Sequence, residues 1–360
     1  MAEERENEVF VTQRNSRKRL SDRVTSIDIA KGIAILLVII GHCNHFFDYN
    51  SETKVLIYGF HMPLFVILSG CTLRISEKSR VETLSWIALV KKKTLTILVP
   101  YFFVGFISIL IFGKTGDTSA FSTLLIGEAA TTDMNYNVPL WFLPMLFLSE
   151  IVFSSYNYIK KRYVGIISIT ISGIGYFMMS RKMIMPWSLD IALFCQLFLF
   201  LGYICVPVLI KYAKTKRLAK HNSILIASCI LSSIIYYFIT RWNGRVDLNA
   251  RCIGNVGLFF LHSLVGSLLV LSFSLLMERV NVITAFFAWL GRHSLDILCW
   301  HIPAASIFYS HIVGKLPAEL QNYIWGKHGL GLAVLLLLVF VIPVAICAHS
   351  ILFYRKLHEN

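Results

Sequence analysis

Ten apolar blocks occupy most of this chain, at roughly 29–47, 55–75, 94–113, 139–158, 163–180, 187–210, 222–240, 254–276, 284–310 and 329–353. Each is near the ~20 residues a helix needs to cross the hydrocarbon core of a bilayer, some with tilt. The residues left between them are too few to clothe a soluble globule: 56% of the 360 residues are hydrophobic, only 15% are charged, and the mean hydropathy is +0.67. The predicted fold class is therefore all-α, a polytopic integral membrane protein of about ten transmembrane helices.

Basic residues set the orientation. With both termini cytoplasmic, the inner segments hold 23 of the 34 Lys and Arg and the outer loops hold 9, with Lys31 and Arg292 inside helices. That imbalance fits the positive-inside rule without moving a helix. It also accounts for the net charge of +14. The charge sits in short segments between apolar blocks, with no zinc-finger spacing and no long basic helix, so nucleic acid is not an expected partner. Residues 1–23 read as a cytoplasmic N-terminal tail and 24–360 as one transmembrane domain. The polar start is too long for a signal-peptide n-region, so the first block is expected to stay as an uncleaved span. The eight cysteines are scattered through apolar blocks without a Cys-x-x-Cys pair and read as small buried hydrophobes. The longest loop, roughly 114–138, lies outside and is a candidate lid or binding loop.

Against that background the first block is anomalous. It carries Asp28, Lys31 and His42. Lys31 and His42 are eleven residues apart, three helical turns plus about 20°, so they share a face while standing about 16 Å apart along the axis. Ionisable groups in a membrane helix are costly and usually face a protein interior or a water-filled cavity. The predicted topology places Asp28 and Lys31 near the cytoplasm, and His42 and His45 in the outer part. His61, in the first turns of the second span, falls at the depth of His42. The fourth span opens with Asn137-Val138-Pro139-Leu140-Trp141 and carries Glu150 deeper; the ninth carries Arg292, His293 and Asp296 on the inner side and His301 further out. Each has a plain reading too: Lys31 snorkelling beside Asp28, Trp141 as an interface anchor, the histidines as structural hydrogen-bonding groups. Arg74, Lys78, Arg80 and Lys91-Lys92-Lys93 on one inner segment suit a polyanion, or simply anionic lipid. No glycine-rich phosphate loop or metal-ligand spacing occurs, which argues against a nucleotide-driven pump or a metalloenzyme.

Several of these pieces resemble, in order, acyltransferase family 3. Lys31-x10-His42 resembles its Arg/Lys-x10-His signature. Phe60-His61-Met62-Pro63-Leu64-Phe65 running to Ser69-Gly70, Lys91-Lys92-Lys93 leading to Pro100-Tyr101, Pro139-Leu140-Trp141-Phe142-Leu143 with Glu150, and Leu290-Gly291-Arg292-His293-Ser294-Leu295 ahead of His301 follow it. The branch most similar is the stand-alone membrane sugar O-acetyltransferases akin to fucose 4-O-acetylase. The Arg-x-x-Arg common at the start of the third helix is absent here.

The resemblance implies transfer of an acetyl group from cytoplasmic acetyl-CoA to a hydroxyl of a surface polysaccharide or lipid-linked glycan, in the inner (cytoplasmic) membrane. His42 would be general base or covalent acyl relay, with Lys31, Glu150 and His61 as further catalytic candidates. Lys31, Arg74, Lys91, Lys92, Lys93, Tyr101 and Arg292 would hold the CoA moiety; His45, Asn137, Trp141 and His301 would face the acceptor. No metal is expected, membrane lipid is a partner, and a homo-oligomer is compatible with the chain. The competing class is an exporter of polysaccharide or lipid-linked sugar, because ten helices with buried charges also describe carriers.

Overall fold

The computed structural model describes residues 24–42, 52–78, 86–112, 119–127, 136–214, 219–325 and 330–350. The expected tail at 1–23 and His45 lie outside these residues. Among those described, the chain is helical and forms no strand; Asp247 and Cys252 make an isolated antiparallel bridge. In order, the helices are α1 (Thr25–Gly41), α2 (Glu52–Tyr58), α3 (His61–Lys78), α4 (Trp86–Phe112), α5 (Ser119–Ile126), α6 (Val138–Ser155), α7 (Lys161–Ser180), α8 (Leu189–Phe194) and α9 (Gln196–Lys214). After these come α10 (Ala219–Asn243), α11 (Val256–Met277), α12 (Asn281–Arg292), α13 (Ser294–Ile307), α14 (Ala318–Trp325) and α15 (Leu330–His349). By length and composition, eight helices among the described residues can cross a membrane, α2 and α3 counting together and α13 with its extension to Lys315. The protein is an all-α, multi-pass membrane protein.

Four expected segments change shape. The first span stops at Gly41, and His42 is its C-cap rather than a residue inside it (φ −93°, ψ 1°), its N–H bonded to Val38 O at 3.0 Å and Ile39 O at 3.2 Å. The third begins at Trp86, not 94, so the three lysines are helical; a π-turn over Thr94–Leu98 follows them. Pro100 has no N–H for the Thr96 carbonyl, and a π-turn is one way a helix absorbs such a mismatch. The sixth divides into α8 and α9 at Cys195. The ninth divides at His293, and α12, at 12 residues, is too short to cross a bilayer. Arg292 and His293 thus form a corner instead of lying within a span. The expected 114–138 loop, for its part, contains α5.

Burial separates centre from periphery. The α2–α3 segment is 72% buried and α7 only 22%, with Ile166, Ile169 and Phe177 of α7 exposed. Apolar side chains on an outer face suit contact with lipid tails, which gain nothing from being covered by protein. At the centre, helices approach closely. A Cβ on Gly291 would stand 1.8 Å from Asp28 O, and one on Gly32 2.2 Å from Phe287 O, so α1 and α12 cross backbone to backbone. Small residues at a membrane helix crossing permit this approach, because dispersion between backbones replaces side-chain packing.

Candidate functional site

At the C-terminal end of α1 the side chains of His42, Tyr58, His61, Trp141, Asp247 and Asn249 line a cavity of about 70 Å³. That is room for several waters, or for an acetyl group and the hydroxyl-bearing edge of an acceptor. The His42 ring lies 5.5 Å from that of His301 and 6.4 Å from that of Tyr58, which in turn is 5.0 Å from His61. Two of the imidazoles have their tautomers set by carbonyls. His61 Nδ1 donates to Ile57 O (2.9 Å), and His301 Nδ1 is 2.9 Å from Leu298 O and 3.1 Å from Ile297 O. A carbonyl only accepts, so in each ring Nδ1 carries the proton and Nε2 keeps its lone pair. His301 is 2% exposed, and its Nε2 has no hydrogen-bond partner among the described residues.

Trp141 is 5% exposed and forms part of the cavity wall, which is not the position of an interface anchor. It reaches that wall on a tight 3₁₀ turn, Val138–Trp141, begun by Pro139. Asn137, expected to face the acceptor, is instead committed to the fold: its Nδ2 donates to Cys299 O at 2.9 Å and to Ser108 Oγ at 3.3 Å. Cys299 is four residues before Pro303, which lacks the N–H that would close that helical turn. The Asn137 side chain takes its place and ties α6 to α13.

The other end of α1 has its own polar cluster. Lys31 Nζ donates to Thr72 Oγ1 (3.0 Å) and lies within electrostatic reach of Asp28, Lys93 and Glu150. Lys93 Nζ meets Glu150 Oε2 at 2.5 Å, and Ser69 Oγ donates to Glu150 Oε1. Ser69 and Thr72, three residues apart on α3, share a face. Glu150, a catalytic candidate by the resemblance, is nine residues beyond Trp141, about 13 Å along α6, and its carboxylate is occupied at the Lys31 end. Buried charges survive only when paired and hydrogen-bonded, and this cluster of two cations and two carboxylates meets that condition.

The remaining expected donor-site residues disperse. Lys91, Lys92 and Arg292 are exposed, while Lys93 turns inward. Arg74 Nη1 donates to Tyr203 Oη (2.6 Å), whose hydroxyl donates to Glu77 (2.6 Å). Tyr101 is fully buried and its hydroxyl donates to Leu124 O of α5 (2.6 Å), away from the lysine run. Seven cysteines among the described residues are free thiols, though Cys252 and Cys347 are exposed rather than buried. Among the described residues no three His, Cys, Asp or Glu side chains are grouped as metal ligands.

Sequence reasoning missed Tyr58, Asp247 and Asn249. It also placed Lys54 in an outer loop, yet Lys54 is buried within electrostatic reach of His42. Asp247 and Asn249 arrive on the 244–255 connection between α10 and α11. That connection is anchored by Arg251, whose guanidinium meets the fully buried Asp190 carboxylate at 2.9 and 3.1 Å. A signal was available: Asp190, inside an apolar block, needs a cation, and Arg251 is among the few outer ones. Burial raises the Asp247 carboxyl above its ordinary value of 3.8, against the opposing pull of the Ala250 N–H and Arg245.

No curated protein matches the sequence. Residues 24–353 match the family model of the acyltransferase domain that the first-helix motif resembles, and the chain belongs to that family, acyltransferase family 3.

Proposed function

We propose that this membrane acyltransferase moves an acetyl group from cytoplasmic acetyl-CoA to a hydroxyl of a surface polysaccharide or lipid-linked sugar, with His42 at the reacting centre. The observation that carries the reading is the position of His42: a helix C-cap imidazole on the wall of a small cavity, beside two further imidazoles and an indole. There His42 takes the acceptor hydroxyl proton as the oxygen attacks the thioester carbon; the C–S bond breaks, and the same proton passes to the departing thiolate. Acetyl transfer through His42 itself, as a covalent relay, uses the same geometry. On this reading the donor passes the polar cluster of Lys31, Thr72, Ser69, Glu150 and Lys93 on its way to His42. Exposed Lys91, Lys92 and Arg292 suit the phosphates of the donor by their charge.

This reading sets the protein in the inner membrane with both termini cytoplasmic. The eight span-length helices, together with the 17-residue α1 and the apolar α15, supply the ten crossings it needs. The test is acetyl transfer by detergent-purified protein. His42→Ala is expected to abolish transfer while leaving expression and folding intact, and Lys31→Ala to raise the KM for acetyl-CoA more than that for the acceptor. Near-normal product from His42→Ala would remove His42 from the mechanism. Wild-type protein that consumes no acetyl-CoA would return the exporter reading.

A further inference from the structure

We infer that the 244–255 connection is the acceptor-recognition wall of the His42 cavity, with the Asn249 amide and the Asp247 carboxyl holding hydroxyl groups of a sugar ring. The inference rests on the acyl-transfer reading and names the residues that recognise the acceptor. Three observations carry it. Asp247, Leu248 and Asn249 line the same cavity as Pro139 and Trp141, so polar acceptor atoms share it with apolar and aromatic groups. The hydroxylated edge of a sugar ring matches such a slot; a lipid chain would leave the polar groups unpaired.

The second observation is an orphan. Asn249 Oδ1 is buried without a hydrogen-bond partner among the described residues, although its backbone carbonyl is held by Arg251 Nη1 at 2.8 Å. Buried polar atoms are nearly always satisfied, and one left open beside a cavity is costly to the fold unless a ligand completes it. The third is rigidity. The Asp247–Cys252 bridge is closed by two backbone bonds of 2.7 and 2.9 Å, Ala250 N–H caps Asp247 Oδ1 at 3.2 Å, and the Arg251–Asp190 pair fixes the whole turn on α8. Arg251 itself has φ +56°, a conformation costly for a side-chain-bearing residue, which the buried ion pair offsets. A loop merely joining two membrane helices has no need of this. A specificity wall does, because recognition geometry is only as good as its support.

The experiment compares wild type, Asn249→Ala and Asp247→Asn, each as full-length protein. Three readouts are taken: transfer of radiolabelled acetyl from acetyl-CoA to the glycan of native membranes, the unfolding temperature in detergent, and the shift of that temperature by acetyl-CoA. Both variants are expected to lose transfer by at least about tenfold, the worth of one hydrogen bond to a buried partner. Both are expected to keep the acetyl-CoA shift, and to unfold no earlier than wild type, since each removes a group that is unsatisfied or desolvated in the free protein. Transfer within twofold of wild type in both variants overturns the inference. So does loss of transfer together with loss of the acetyl-CoA shift, or with a lowered unfolding temperature, which would make the residues structural. Wild-type protein that transfers nothing refutes the acyl-transfer reading instead, an outcome separable from the other two.

Discussion

The Asn137 side chain stands in for a backbone donor that Pro303 cannot provide, and the consequence can be worked out. Asn137→Ala strips Cys299 O of its 2.9 Å partner and removes the longer 3.3 Å bond to Ser108. A carbonyl left unpaired in a buried site costs about 1–3 kcal/mol. The vacated volume adjoins a space of about 20 Å³ lined by Gly105, Ser108 and Leu140, and each further Å³ costs about 24 cal/mol. In the other direction, Asn137 Oδ1 is itself buried and unpartnered, and its removal relieves part of that penalty. The net loss is about 2 kcal/mol. In a Pro303→Ala background residue 303 regains an N–H that can bond Cys299 O directly, so there the same Asn137→Ala change should cost less than about 1 kcal/mol. The measurement is a double-mutant cycle on reversible unfolding in mixed SDS–detergent micelles, with an expected coupling of at least about 1 kcal/mol. Equal cost of Asn137→Ala in the two backgrounds would refute the substitution of side chain for backbone.

Other perturbations separate close packing, charge pairing and titration. Gly291→Ala forces α1 and α12 apart and should lose about 2 kcal/mol or more by the same unfolding assay, whereas Gly173→Ala, with nothing within 4 Å of its added Cβ, should be neutral or slightly stabilising. Glu150→Ala leaves Lys93 buried without its counter-ion and should cost about 3–5 kcal/mol; the Lys93→Met, Glu150→Met double variant should unfold later than Glu150→Ala alone. Asp247 holds its proton to higher pH folded than unfolded, so the folded state binds more protons above 3.8. Its contribution to stability therefore falls as pH rises from 3.8 through the raised value. Unfolding temperatures of wild type and Asp247→Asn should diverge across that window, the variant being the more stable near neutrality; parallel curves would show that Asp247 does not titrate there. Arg245, His42 and His61 also face this carboxyl, and the comparison between variants cancels their own titration.

What could be read from the sequence follows from what each signal encodes. Hydropathy records the free energy of placing a segment in lipid, so the apolar blocks emerged near their true positions, α3, α6, α7, α10 and α11 within a few residues. It carries no information on chain direction within a block. The breaks at Cys195 and His293 were therefore invisible, although Arg292-His293 inside an apolar run hinted at the second. Helical periodicity located Lys31 and His42 at opposite ends of α1, and depth matching brought His61, Trp141 and His301 to the His42 end. Depth matching set Glu150 deeper than Trp141, and its carboxylate lies beside Lys93 and Ser69 at the Lys31 end. Asp247 and Asn249 enter through the long-range Arg251–Asp190 ion pair, whose one trace in the sequence is the lone Asp190 inside an apolar block.

The backbone crossing at Gly32 and Gly291 makes α1 a ruler. The two backbones touch there with no side chain between them, and Lys31 and His42, on one helix, stand three turns apart. Any reaction that draws on both ends must therefore be spanned by the reactant. Read on the proposed chemistry, a donor recognised at the Lys31 end reaches His42 only on an arm long and thin enough to run beside the helix. A thioester with the same head but a shortened arm would dock and never react, acting as an inhibitor whose potency shows how far the arm must reach.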